Sequence, residues 1–280
     1  MTILEVIALI IIIIFVLSLL HSFYKTFLTT PSVNSTPKIH KRDFKKDVVY
    51  LYQFPRINTV PNLSSFCLKT ETFLRAFKIP HEVIETGNLR SRNGTLPFIE
   101  LNGENIPDSD LIEMRLRKHF DIPNLPAEDE AHATAITRLA DNHLLGLIIK
   151  YKASEEEWYK ALLRGVPGPD CFKTLLRPVV KKLFMKKIHE RVGASIGNFT
   201  EEEAEMLCHK DLQAIQDSIR ERFLFGDKIT PADCTVFGEF ASAYYPFPNK
   251  FSRIIDSHYP KIREYCDRII EELWAQDFTI

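Results

Sequence analysis

The sequence predicts an α/β domain followed by an all-α domain, with a transmembrane helix ahead of both. Three observations lead to this fold class. Residues 6–20 form an apolar run, residues 47–120 mix short β-branched or aromatic runs with helical stretches, and residues 127–280 show helical spacing and helix caps. Hydrophobic residues make up 45% of the 280 positions and charged residues 26%, which excludes a disordered or low-complexity chain.

Charge and cysteine content argue against two further classes of protein. The 36 basic and 37 acidic side chains give a net charge of -1, so we expect no nucleic-acid partner. Five dispersed cysteines include no C-x-x-C, and nine histidines form no ligand motif. We therefore expect neither a disulfide framework nor a metal site.

Residues 1–28 are interpreted as a single membrane anchor rather than a cleaved signal peptide. A spanning helix needs about 20 mostly apolar residues. Glu5 and no basic residue precede the run, and no small-residue cleavage site follows it. Six basic residues lie within 25–46, which predicts that the folded domains face the cytosol. Residues 29–46, rich in Ser, Thr, Pro and Lys, are predicted to form a flexible linker.

Four N-x-S/T sequons argue against that orientation, because sequons are glycosylated only in the secretory lumen. They begin at Asn34, Asn62, Asn93 and Asn198. Short motifs of this kind also arise by chance, so the predicted cytosolic orientation rests on the charge asymmetry.

Residues 47–120 are predicted to fold in the order β-α-β, then β-β-α. The strands are expected at 48–54, 81–85 and 97–101, with a returning strand through Ile106 after the Asn102-Gly103 hairpin turn. One helix is expected from Ser64 to about residue 78 and another from Asp108 to about residue 119.

This order belongs to the thioredoxin fold, and the residues resemble the glutathione-transferase-like proteins. Residues 95–99, Thr-Leu-Pro-Phe-Ile, resemble the family's segment before the third strand, where the proline is cis. Asp108-Ser109 resembles its acidic-Ser pair. The likeness covers nearly the whole chain after Asp47. It is closest to the subgroup of metaxins, failed-axon-connections proteins and nematode cadmium-responsive proteins, through residues 61–75 and 259–274.

The resemblance implies a glutathione site formed by Leu96, Pro97, Asp108 and Ser109. The Leu96 backbone would pair with the cysteinyl part of glutathione like an added strand. Asp108 and Ser109, at a helix start, would hold the γ-glutamyl carboxylate and ammonium. Helix capping alone would also explain both residues. Two departures from the family are a long loop at 55–63 and a stretch at 87–94 that is too short for the usual second helix.

Ser64 is the candidate catalytic residue, with Cys67 or Tyr52 as weaker candidates. Family members place a Ser, Cys or Tyr near the first helix, and a hydroxyl at a helix N-terminus can donate to a thiolate. Each residue also has a structural interpretation. Ser64 would cap its helix, Cys67 would be a small buried hydrophobe, and Tyr52 would pack in a strand.

Residues 127–280 are predicted to be all helical. Capping boxes begin at Thr200 and Thr230, and the second has proline at the first helical position. Between Arg177 and Arg191, lysines accompany an apolar face. Such a face could touch phospholipid or acidic partners, although it is more often merely solvated.

Two classes of function follow from the resemblance. The first is a membrane-anchored enzyme in stress or cadmium detoxification, with glutathione as co-substrate and small electrophiles as acceptors. The second is a non-catalytic adaptor or binding module, as in the metaxins. A homodimer is a further candidate assembly. Dispersed cysteines supply no thiolate cage, so cadmium would act through expression or glutathione chemistry rather than by direct binding.

Overall fold

The computed structural model describes residues 38–87, 89–164 and 170–279. The predicted anchor, residues 1–28, and the first part of the predicted linker lie outside these residues. Within the described residues, no helix is both long and apolar enough to cross a bilayer.

The first domain contains a four-stranded sheet in the order β2-β1-β3-β4. Strand β1 runs parallel to β2 and antiparallel to β3, and β3 is antiparallel to β4. This topology confirms the predicted thioredoxin-like order. The elements are β1 (Val49–Gln53), α1 (Ser65–Ala76), β2 (His81–Glu85), β3 (Phe98–Leu101), β4 (Glu104–Pro107) and α2 (Ser109–His119).

The hairpin between β3 and β4 follows the predicted Asn-Gly turn. Asn102 and Gly103 have φ values of 52° and 80°. Both are the left-handed conformations that a two-residue hairpin loop requires, which is why Asn and Gly are favoured there. The short turn places the start of α2 beside the start of β3.

The two faces of the sheet have different coverings. Val49 and Leu51 of β1 point toward α1 and α2, where they pack with Phe73, Leu74 and Ile112. The alternate residues Tyr50 and Tyr52 cluster with Phe98, Cys67 and Leu96 on the opposite face. Successive side chains of β1 thus point to opposite faces of the sheet and belong to two separate hydrophobic clusters.

Residues 38–46 lie on this second face of the sheet. Glu100, 1% exposed on the central strand β3, accepts hydrogen bonds from the backbone amides of His40 and Lys41, each at 2.8 Å. The Tyr52 hydroxyl donates to the same carboxylate at 3.0 Å. No helix forms between β2 and β3 in the described residues, so this segment covers surface that a second helix would otherwise bury. This part of the predicted flexible linker is therefore held by the sheet.

The regular elements of the second domain are all helices in its described residues. Helix α3 passes into α4 through a π-helical segment, Leu139–Leu144. The helices are α3 (Ala127–Arg138), α4 (Leu145–Ser154), α5 (Glu156–Arg164), α6 (Asp170–Ser195), α7 (Glu201–Ser218), α8 (Pro231–Tyr244), α9 (Lys250–His258) and α10 (Pro260–Leu273).

Both predicted capping boxes are present. At α7, the Glu203 carboxylate accepts from the Thr200 amide at 2.8 Å, and the Glu203 amide donates back to the Thr200 hydroxyl. At α8, Asp233 is fully buried and accepts from the Thr230 amide and hydroxyl and from the Leu224 amide. The Tyr265 hydroxyl of α10 donates to the same carboxylate at 3.0 Å. The second box therefore joins α8 to its neighbours as well as starting the helix.

The C-terminal end of the chain is bound to α1. The Arg75 guanidinium lies 3.7 Å from the centre of the Trp274 ring and donates to the Asp277 carboxylate at 2.6 and 2.8 Å. Fully buried Glu71 accepts from Arg75 and from Arg56. This contact connects the two segments, 61–75 and 259–274, that carry much of the family resemblance.

Candidate functional site

The strand register brings three chain segments together at one edge of the sheet. Tyr52, near the end of β1, pairs with Phe98 at the start of β3, and Phe98 pairs with Pro107 at the end of β4. The segment before β3 and the start of α2 therefore lie side by side. The start of α1 reaches the same edge, because the Asn62 amide donates to the Phe54 carbonyl just after β1 at 2.8 Å.

Leu96 and Pro97 form the centre of this edge. The peptide bond between them is cis, as the family resemblance implies. Leu96 is 6% exposed, and its own amide and carbonyl make no hydrogen bond to another part of the described chain. A peptide group left free beside a sheet can pair with an extended ligand backbone.

Asp108 caps α2 from a strained backbone position. Its φ is 69°, and its Oδ1 accepts from the amides of Asp110 at 3.0 Å and Leu111 at 3.4 Å. Both bonds use Oδ1 and Asp108 is exposed, so Oδ2 is available to a cation. Ser109 follows as the first residue of α2 and is 6% exposed. The capping function predicted as an alternative is present, and it leaves half of the carboxylate free.

Ser64 lies at the N-terminus of α1, half-buried. Its hydroxyl accepts from the Cys67 amide at 3.4 Å, a long N-cap bond. Its own amide donates to the Asn62 side chain at 3.0 Å. Asn62 is fully buried, so its sequon is inaccessible in the folded chain. The hydroxyl of Ser64 is thus positioned by its neighbours and only weakly engaged.

The two weaker catalytic candidates lie in the interior. Cys67 is fully buried, and burial raises the pKa of its thiol to about 11, with weaker opposing effects from the Phe54 backbone and Ser64. Tyr52 is 2% exposed and its ring stacks on Phe98 at 4.4 Å. Burial and then the nearby Glu100 carboxylate raise the pKa of Tyr52 well above its ordinary value. Neither group is ionised near neutral pH.

Arg90 is a residue at this site that the sequence did not single out. Its guanidinium lies 5.3 Å from the centre of the Phe54 ring and donates to the Leu89 carbonyl at 2.7 Å. No carboxylate of the described residues lies within ion-pair distance of it, and burial lowers its pKa. In the sequence it was one basic residue in a polar loop, so nothing marked it. The fold gives it an unpaired positive charge near Cys67.

A buried polar cluster supports the site from behind. It consists of Ser65, Lys69, Asp110, Asp141, Lys152 and Glu239, contributed by both domains. The Lys69 ammonium lies 2.9 Å from Asp110 and 2.7 Å from Asp141. Burial alone would lower the pKa of Lys69, but these carboxylates together raise it.

Lys152 connects the second domain to the loop before Ser64. Its ammonium donates to the carbonyls of Leu63 and Ser242, each at 3.0 Å. Full burial lowers its pKa to about 8, against a weaker opposing effect of Glu239. This side chain therefore fixes the backbone directly ahead of the Ser64 cap. In the sequence, Lys152 lies inside the largely apolar stretch 144–153, and a lysine there could have indicated a buried polar contact.

Five of the predicted site residues meet at the sheet edge and two do not. Ser64, Leu96, Pro97, Asp108 and Ser109 come together, whereas Cys67 and Tyr52 lie beneath them. Among the described residues, no group of three or more His, Cys, Asp or Glu could hold a metal ion. The polar groups at this edge are a peptide group, a carboxylate oxygen that accepts, and a hydroxyl and a guanidinium that donate, a set suited to a small charged peptide.

Comparison with known proteins agrees with this geometry. Residues 65–158 match the family described as Glutathione S-transferase N-terminal domain, and residues 208–269 match Glutathione S-transferase, C-terminal domain. Failed axon connections of Drosophila melanogaster is 34% identical over 221 residues. That alignment covers 74% of this chain and 53% of the fly protein, so the chain spans about half the length of its relative.

Solved structures share the fold at lower identity. A glutathione transferase of Phanerochaete chrysosporium superposes with a TM-score of 0.57 at 17% identity, over 81% of this chain and 98% of its own. A glutathione S-transferase of Ceriporiopsis subvermispora, solved in complex with glutathione, gives 0.56 at 17% identity over 82% and 99%. The predicted likeness to nematode cadmium-responsive proteins stays a prediction. With both family domains in order and the expected sheet topology, the chain belongs to the glutathione-transferase-like superfamily.

Proposed function

We propose that this protein binds glutathione at the sheet edge, in a domain anchored to a membrane by residues 1–28. The observation that carries the proposal is the free Leu96 peptide group beside an Asp108 carboxylate of which only one oxygen is hydrogen-bonded. A site for glutathione needs a backbone partner for its cysteinyl part and an acceptor for its ammonium. Both are available at adjacent positions on one edge.

Each group at the edge has a distinct part in the proposed binding. The amide and carbonyl of Leu96 would pair with the cysteinyl backbone. Oδ2 of Asp108 would accept from the ammonium, and the Ser109 amide together with the positive end of the α2 dipole would favour the neighbouring carboxylate. The unpaired guanidinium of Arg90 offers a counter-charge for the second carboxylate.

Conjugation to small electrophiles is the enzymatic form of the proposal, with Ser64 as its residue. Bound glutathione supplies a thiol, which is nucleophilic only as the thiolate. The Ser64 hydroxyl could donate a hydrogen bond to that thiolate, aided by the α1 N-terminus. The N-cap hydrogen bond between this hydroxyl and the Cys67 amide is long, at 3.4 Å. The hydroxyl is therefore more available to a thiolate than it would be in a short cap bond.

The alternative is a non-catalytic binding module, and one observation favours it. Cys67 is buried with a raised pKa, so the chain offers no thiolate of its own at α1. Binding would then survive without turnover. Glutathione binding measured beside a conjugation rate separates the two functions.

Glutathione should raise the melting temperature of the full-length protein in detergent. A ligand at 100 times its Kd that binds only the folded state adds about 2.7 kcal/mol, or roughly 5–10 °C for a chain of this size. Asp108→Asn should weaken binding tenfold or more, because a hydrogen bond to a charged group contributes about 1.5–3 kcal/mol. The readout is thermal unfolding by the fluorescence of buried Trp158 and Trp274.

Asp108→Asn is the matched choice because asparagine is also a good N-cap and tolerates positive φ. Asp108→Ala would lose the cap as well, costing about 1 kcal/mol of stability. An equal concentration of another thiol controls for reduction. Absence of any shift at millimolar glutathione would reject the binding proposal, and a full shift in Asp108→Asn would remove Asp108 from it.

Ser64→Ala decides between enzyme and module. We expect the glutathione shift to persist and any conjugation rate to fall about tenfold or more, the contribution of one hydrogen bond to a charged group. A rate unchanged by the substitution would exclude Ser64 from the chemistry. A detoxification role in cadmium stress would act through glutathione, so cadmium alone should leave the melting temperature of the purified protein unchanged.

The membrane anchor and the cytosolic orientation remain proposals that rest on residues 1–28 and the basic flank. Full-length protein should stay in the membrane fraction after an alkaline carbonate wash, because a spanning apolar helix is not released by high pH. Protease added to sealed vesicles with the cytosolic side outward should digest both domains. Release by carbonate would contradict the anchor, and protected, glycosylated domains would reverse the orientation.

A further inference from the structure

Helix α6, Asp170–Ser195, concentrates positive charge in a chain that is otherwise acidic. It carries seven basic and two acidic residues, whereas the whole chain has a net charge of -1. The basic residues are Lys173, Arg177, Lys181, Lys182, Lys186, Lys187 and Arg191, and the acidic ones are Asp170 and Glu190. The rest of the chain is therefore net negative, and α6 is the most basic of the described helices.

One face of α6 holds the helix to its domain. Val180, Ile188 and Val192 are buried in the main helical core. The Phe184 ring packs edge-on against Trp158 of α5 at 4.9 Å, and Lys181 pairs with Glu156. These contacts already bury an apolar stripe of the helix.

The opposite face exposes apolar side chains between lysines. Val179 is 54% exposed, Leu183 37% and Met185 36%. Lys182 and Lys186 are exposed on the same surface, and neither forms an ion pair with a described residue. Positions 179, 182, 183 and 186 follow the i, i+3, i+4, i+7 spacing of a single helical stripe. We call these four residues the α6 outer face, and Met185 borders it on the side of Lys182.

Alternating lysine and apolar side chains suit an anionic bilayer better than an acidic protein or a nucleic acid. Lysines bind phosphate headgroups and attract acidic lipid, while the apolar residues between them enter the acyl boundary. A nucleic-acid backbone offers no place for three exposed aliphatic side chains. We propose that the α6 outer face docks flat on the surface of an anionic lipid bilayer.

This docking needs neither glutathione nor the N-terminal anchor. If the anchor is present, tethering the domain at the same surface raises the effective concentration of the face and strengthens the contact. The helix then lies in the interface plane, as amphipathic surface helices do.

Exposed methionines allow the contact to be mapped on the full-length protein. Met185 borders the α6 outer face, whereas exposed Met114 and Met206 lie on α2 and α7. Of the five cysteines, only Cys171 is exposed. In a Cys171→Ser background, the single variants Met114→Cys, Met185→Cys and Met206→Cys therefore each present one reactive thiol.

The readout is the rate of labelling by a polyethylene glycol maleimide, which is too bulky to reach a docked face. Each variant is reconstituted in vesicles of phosphatidylcholine alone or with phosphatidylserine. We expect only the thiol at position 185 to be protected, and only on vesicles that contain phosphatidylserine. Labelling is taken relative to the total reached after the same vesicles are dissolved in detergent, which corrects for molecules facing inward.

Lys182→Gln with Lys186→Gln should reduce the docked-to-free ratio about 25-fold, since each lysine near an anionic surface contributes about fivefold. Lys118→Gln with Lys228→Gln makes the same charge change at exposed lysines elsewhere and should leave protection intact. Equal labelling of position 185 in both lipids would overturn the proposal, as would protection at 114 or 206 instead. Carbonate extraction of the same vesicles reports on the anchor separately, so the two proposals fail independently.

Discussion

Gly238→Ala should destabilise the protein by about 3 kcal/mol, at the upper end of what overpacking costs. A Cβ at position 238 would lie 2.7 Å from the Cβ of Lys69, 2.8 Å from its amide nitrogen and 2.9 Å from the Ser65 carbonyl oxygen. Two of these three atoms are backbone of α1 and cannot rotate away. Helices α1 and α8 would have to separate along the interface that joins the domains.

The separation has a second consequence because Lys69 is buried against Asp110 and Asp141 at this contact. Moving α1 would stretch those ion pairs in a low-dielectric setting, where an unpaired charge is costly. The gain in helix propensity from Gly to Ala, about 1 kcal/mol, offsets only part of this.

Urea unfolding measures the effect, and Gly87→Ala is its matched control. A Cβ at position 87 would meet no other atom within 4 Å, and the φ of Gly87 lies outside the left-handed region. Its substitution should therefore change stability by less than about 0.5 kcal/mol. Wild-type stability in Gly238→Ala would show that α1 and α8 do not approach this closely in solution.

Glu239→Gln should stabilise the protein increasingly as pH rises. Glu239 is fully buried in the cluster behind Ser64, and neither carboxylate oxygen has a hydrogen-bond donor of normal geometry among the described residues. Burial and then the Asp141 charge raise its pKa from 4.5 to about 8, against weaker opposing effects of Ser65, Lys69 and Lys152. Oδ1 of Asp141 also lacks a donor, and a protonated Glu239 would supply one.

The sign of the pH dependence follows from proton binding. Between pH 4.5 and about 8 the folded state keeps a proton on Glu239 that the unfolded chain has released. Stability therefore falls as pH rises through this window, by about 1.4 kcal/mol per unit for one such group. Glutamine cannot lose a proton, so the variant escapes this loss. Its advantage over wild type should reach a few kcal/mol near the top of the window.

The measurement is the difference in unfolding free energy between variant and wild type, followed across that pH window. Glu264→Gln is the control because it removes an exposed carboxylate from α10, where the difference should stay flat. A difference for Glu239→Gln that does not change with pH would mean that Glu239 is ionised and paired with a neighbouring lysine.

Local patterns in the sequence determined most of the elements. The β-branched and aromatic runs predicted three strands within a residue or two, and Asn102-Gly103 predicted the hairpin and the returning strand through Ile106. The capping boxes at Thr200 and Thr230 marked the starts of α7 and α8. These signals are local, because a cap or a turn depends on residues within four positions of itself. The five residues at the sheet edge came from family resemblance, not from local pattern.

Only the tertiary structure decided how these elements are held together. Residues 38–46 have the composition of a loose spacer, and Glu100, about 60 positions away, binds two of their amides. Cys67 and Tyr52 were candidates for chemistry until packing around them raised their pKa values. The fold alone shows what distinguishes three ionisable residues, because segments distant in sequence bury them: Lys152, Arg90 and Glu239. Burial and long-range pairing set the free energy of ionising a side chain. Neither can be predicted from the residues that neighbour it in the sequence.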